Sequence, residues 1–112
     1  MTKSDISKKV NELRKVGYFV SNRNSKNPLP ASMKGDTDFF IAGKGRLIFI
    51  EVKLAKDTLK PEQIELAEIL IAMSNSISTI FYILETGETI NNVIDCIMFQ
   101  RWNDLNTISK QT

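Results

Sequence analysis

The run GDTDFFIAGKGRLIFIEVK, from Gly35 to Lys53, decides the fold. Asp38–Ala42 and Arg46–Lys53 are rich in β-branched and aromatic residues, with Gly43-Lys44-Gly45 between them, so the run reads as a β-hairpin. Successive side chains on a strand leave opposite faces. Leu47, Phe49, Glu51 and Lys53 therefore share one face of the second strand, while Ile48, Ile50 and Val52 point to the other as core. An ionised Glu and Lys near a sheet centre are costly unless paired or bound. A salt-bridge cluster meets that need, and so does a bound cation. If Gly43 to Arg46 is a four-residue connection, Ala42 pairs with Leu47 and Asp38 with Glu51, and paired residues share a face. A three-residue turn puts the two acids on opposite faces unless a bulge restores the pairing. Side by side, two carboxylates repel, and a divalent cation is the simplest relief.

Outward from the hairpin, apolar Ile6, Val10 and Leu13 recur at helical spacing over Ser4–Val16, with Ser4 as N-cap and Gly17 as stop. Tyr18-Phe19-Val20 reads as a short strand. Ser21–Lys34, with Pro28 and Pro30, reads as a polar loop long enough to be functional or disordered. Pro61 opens a helix to about Ser74, with Ile64, Ala67, Leu70 and Ile71 on its apolar face. Ile77–Leu84 reads as a strand. Thr89–Trp102 reads as a helix striped by Ile90, Val93, Ile94, Ile97 and Met98, and residues 103–112 as a fraying tail. The predicted order is α-β-β-β-α-β-α, a mixed sheet flanked by helices in an α/β domain. Tyr18, Phe19, Phe39, Phe40, Phe49, Phe81 and Tyr82 read as core or sheet packing rather than a base-stacking platform.

At 112 residues, 42% hydrophobic, the chain suits a single domain with one core. No run is long and apolar enough for a membrane span, and Met1–Asp5 lacks the apolar core of a secretory signal, so a cytoplasmic location is expected. With no histidine, and Cys96 as the single cysteine, the usual zinc sites, disulfide frameworks and histidine-based triads are excluded. Catalysis then falls to carboxylates, lysine or a hard metal on oxygen ligands. Charge is segregated. Arg14, Lys15, Arg23, Lys26 and Lys34 fall in Leu13–Gly35, which has no acid; from Asp57 to Glu88, six acids face only Lys60. Such asymmetry suits a polyanion on one side.

Asp38 followed by Glu51-Val52-Lys53 resembles the PD-(D/E)XK nuclease superfamily, with its restriction-endonuclease-like fold. The likeness is closest to its VRR-Nuc and Holliday-junction-resolvase branch. There, a G-x-x-D turn and an (I)-E-V-K strand precede a P-x-Q segment at the next helix. Gly35-Asp36-Thr37-Asp38, Ile50-Glu51-Val52-Lys53 and Pro61-Glu62-Gln63 stand in those places. Departures are Thr37 in place of a proline, the extra acid Asp36, and Ser74-Asn75 where relatives often have glycine. The resemblance implies a metal-dependent DNA endonuclease using Mg2+, with Mn2+ able to substitute, on Asp38, Glu51 and the Val52 backbone carbonyl. Asp5 stands where the first helix commonly offers a ligand, and Glu12 lies on the same helix side. Lys53 would orient the attacking water or stabilise charge at the phosphate, and Gln63 would hydrogen-bond the water or the lysine. Arg23, Lys26 and Lys34 would follow the backbone of duplex or branched DNA. A homodimer suits a junction-like substrate. The rival expectations are a non-catalytic nucleic-acid-binding module and a structural subunit that keeps the fold.

Overall fold

Thr2 opens the first helix: its hydroxyl accepts from the Asp5 amide at 3.2 Å, and Asp5 Oδ2 accepts from the Thr2 amide at 2.9 Å. This reciprocal capping box starts α1 (Lys3–Asn11), so Thr2 and not Ser4 is the N-cap. A 3-10 helix, Glu12–Val16, continues it until Gly17 turns left-handed at φ 96°. The remaining elements are β1 (Phe19–Asn22), β2 (Phe39–Gly43), β3 (Arg46–Val52), α2 (Pro61–Ser76), β4 (Ile80–Glu85), α3 (Ile90–Met98) and α4 (Trp102–Ser109). The computed structural model describes residues 2–22, 37–54 and 58–109. Most of the expected Ser21–Lys34 loop, including Arg23, Lys26 and Lys34, lies outside the described residues, as do Gly35 and Asp36. Ser21 and Asn22, expected in that loop, belong to β1 and pair with Phe40 and Phe39.

The protein is a small α/β fold around a four-stranded mixed sheet in the order β1-β2-β3-β4. β1, β2 and β3 are antiparallel neighbours, and α2 carries the chain across to β4, parallel to β3. One sheet face forms the main core, where Ile41, Ile48, Ile50 and Val52 meet Ile6, Val10 and Leu13 of the first helical segment. Val93 and Ile97 of α3 and Leu105 of α4 close that core. The Tyr18 hydroxyl donates to the Ile97 carbonyl at 2.7 Å, tying the residue just before β1 to α3. On the other face α2 sets Ala67 and Leu70 against Tyr82, flanked by Phe49 and Leu84. Ile64, expected on the packed side of α2, is 42% exposed. The packed stripe begins later because the first turn of α2 faces a polar site.

Three further boundaries differ from the sequence reading. β4 begins at Ile80 rather than Ile77, because α2 runs on to Ser76. The single helix expected over Thr89–Trp102 is two. α3 stops at Met98, Gln100 takes a left-handed φ of 56°, and α4 follows from Trp102. The expected fraying tail is therefore helical to Ser109, with fully buried Leu105 as its anchor.

Candidate active site

The hairpin turn holds two residues, Lys44 and Gly45, between the pair Gly43↔Arg46. The ladder then runs to Phe39↔Ile50. One step further brings Asp38 opposite Glu51, the register in which both carboxylates share a face. Thr37 is buried, and its hydroxyl donates to the Phe39 carbonyl at 3.1 Å, shaping the bend just before Asp38. Asp38 is half-buried, and its Oδ2 accepts from the Val52 amide at 2.7 Å. That bond fixes the carboxylate against the Val52 backbone.

Glu51 is only 1% exposed. Its Oε1 accepts from Gln63 Nε2 at 3.1 Å and lies 3.7 Å from Lys53 Nζ. Gln63 spends its other end on the Lys60 amide, at 2.9 Å, so the first turn of α2 is fastened to Glu51 through one side chain. Burial pushes the Glu51 carboxyl up to about 8, and the Asp38 charge and a carboxyl–carboxylate hydrogen bond to Asp38 push the same way. Lys53 and Lys3 oppose the rise. Tyr82, paired with Phe49 on this face, is pushed up to about 12 by burial and then by the charges of Glu51 and Asp38. The two acids share space that holds one negative charge more easily than two.

Four of the expected residues, Asp38, Glu51, Lys53 and Gln63, thus come together, beside the Val52 backbone. Asp5 does not join them: it is exposed and its carboxylate is committed to Thr2, whose hydrogen bonds hold it below the usual carboxylate range. Glu12 is exposed on the 3-10 helix. The first helical segment instead contributes Lys3, whose charge reaches Glu51. No sequence signal marks Lys3, whereas Tyr82 follows from strand parity once β3 and β4 are aligned. Arg23, Lys26 and Lys34 lie outside the described residues.

Among the described residues no cluster of three or more Asp, Glu or Cys side chains exists. Asp38 and Glu51 nevertheless fit a hard divalent cation. They are two oxygen donors whose mutual repulsion a cation removes, and Mg2+ commonly binds through one or two carboxylates with water completing its shell. No described helix is long and apolar enough to cross a membrane. Compared with protein-family models and with curated proteins, the chain finds no match in either.

Proposed function

We propose that the protein is a metal-dependent DNA endonuclease of the PD-(D/E)XK type, with a restriction-endonuclease-like fold, hydrolysing phosphodiester bonds at Asp38, Glu51 and Lys53. One observation carries the reading. Asp38, fixed on the Val52 amide, and buried Glu51, held by Gln63, sit together with Lys53 Nζ 3.7 Å from Glu51, and burial first and the Asp38 charge second push the Glu51 carboxyl up to about 8. A plain salt-bridge cluster needs one acid for one lysine; here a second, half-buried acid is set against the buried one, which costs stability unless a cation is the intended partner.

Asp38 and Glu51, with the Val52 carbonyl, would hold Mg2+ or Mn2+. When bound, the metal supplies a more acidic water and charge neutralisation at the phosphate. The Val52 amide orients Asp38, and Gln63 holds Glu51 Oε1 in place. Lys53 is only partly exposed and carries its ammonium on the same face, where it meets charge developing on the phosphate oxygens. Arg23, Lys26 and Lys34 would grip the DNA backbone without reading sequence. Phe19, 63% exposed, and Phe40, edge-on to it with ring centroids 6.3 Å apart, give this sheet face an apolar strip that suits a homodimer on branched or duplex DNA.

The test is a panel of labelled single strands, duplexes, flaps and four-way junctions, incubated with and without Mg2+. Mg2+-dependent cleavage of at least one substrate, lost in Asp38→Asn, is the expected result. Salt-sensitive binding without cleavage marks a non-catalytic binding module, and no binding marks a structural subunit; either overturns the proposal.

A further inference from the structure

A groove of about 410 Å³ lies at the hairpin end of the sheet. It is roughly 17 Å from Glu51 along β3 at ~3.3 Å per residue. Its walls include Arg46, Asn75, Ser78, Phe81, Trp102 and Asn103. We propose that this groove binds a phosphate-bearing ligand, with the oxyanion held by Arg46.

Arg46 is the one charged residue of the lining, and no acid faces it there. Its guanidinium lies 5.1 Å from the Trp102 ring centroid, a stacking contact that orients the group without using its N–H donors. Among the described residues its Nε is a buried donor with no hydrogen-bond partner, and its Nη1 has only a long 3.4 Å bond to the Gly45 carbonyl. The protein thus positions a guanidinium and leaves donor capacity unspent, which suits charge-assisted recognition of an oxyanion.

The start of α4 favours the same sign of ligand. α4 starts at the groove with Trp102 and Asn103, so the positive end of its dipole lies at the rim. α2 ends there too, with the Ser74 and Ser76 hydroxyls turned back onto the Ile71 and Ala72 carbonyls, at 2.8 and 3.2 Å. The asparagine amides can hydrogen-bond the sugar or base of a nucleotide, and the Trp102 and Phe81 rings, 5.9 Å apart, supply an apolar wall. A free mononucleotide and a nucleic-acid backbone share this chemistry.

Trp102 is the chain's single tryptophan, so its fluorescence reports the groove directly. Inorganic phosphate, thymidine monophosphate and a thymidine oligonucleotide lacking terminal phosphates are titrated into the full chain. A saturable fluorescence change with at least one probe is expected, weakened about 10–100-fold in Arg46→Met, the range of a lost charge-assisted contact. Tighter binding of the monophosphate assigns the groove to free nucleotides. Tighter, salt-sensitive binding of the oligonucleotide assigns it to the nucleic-acid backbone. Asn103→Ala, expected to weaken binding several-fold, serves if Arg46→Met fails to fold. No saturable change with any probe, or unchanged affinity in the folded variants, overturns the proposal. Binding should persist in Glu51→Gln, so its outcome is separate from that of the nuclease reading.

Discussion

Glu51 sets the electrostatics of the candidate site because it is a buried acid with another acid beside it. Its folded pKa of about 8 lies above its ordinary 4.5, so the folded protein keeps a proton that the unfolded chain releases. The metal-free protein should therefore gain most from this group below pH 4.5 and lose that gain as pH rises through 8. Thermal melts from pH 5 to 8.5 without metal should show that decline, and Glu51→Gln should flatten it. Lys53 separates the chemical role from the structural one. Lys53→Ala should lower the cleavage rate roughly 10²–10³-fold, as loss of a transition-state donor does. It should leave Mg2+ binding in place but move it to higher pH, because Lys53 helps to ionise Glu51. Rate and metal titration on one preparation check both halves; loss of fold alone would leave Lys53 as a salt-bridge partner.

At the scale of elements, the site depends on β2 and β3 keeping one register, and Gly43 guards it. A Cβ at Gly43 would sit 2.7 Å from Tyr18 Cδ1, too close without movement of the ring. Gly43→Ala should destabilise the protein by about 1–3 kcal/mol, the usual cost of overpacking. Chemical denaturation measures it. The hairpin and the shared face of Glu51 and Lys53 were legible in the sequence, since period-two patterning constrains them directly; whether Asp38 joined that face hung on the turn length, which is two residues here, and Gln63 was expected only from the family resemblance. The opening of α1 was not, because Thr2 and Ser4 are both good caps and only the reciprocal bond to Asp5 decides between them. That same bond removes Asp5 from the site. The break between α3 and α4 was hidden as well. Gln100 turns left-handed without a glycine to announce it, and the apolar stripe runs unbroken to Met98.

At the scale of the whole molecule, among the described residues helices pack over one sheet face and α2 over part of the other, and the carboxylate pair sits beside the first turn of α2. In sequence, the acid-free stretch from Leu13 to Gly35 comes shortly before Asp38. Replacing Arg23, Lys26 and Lys34 together by alanine should make DNA binding less salt-dependent, by about one unit of log–log slope per lost phosphate contact. Binding isotherms across a range of salt give the slope; an unchanged slope would remove the three residues from the interface.

The central claim is that a divalent cation is the missing partner of Asp38 and Glu51, and its sharpest signature is a proton. At pH 7 the Glu51 carboxyl, with its pKa near 8, is mostly protonated, and a cation that takes its oxygens must expel that proton. The measurement is proton release as Mg2+ is titrated into lightly buffered wild-type protein and into Glu51→Gln. Release approaching one proton per chain at saturation in the wild type, and none in Glu51→Gln, is the expected result. Absence of release from the wild type, or equal release from both, would contradict it.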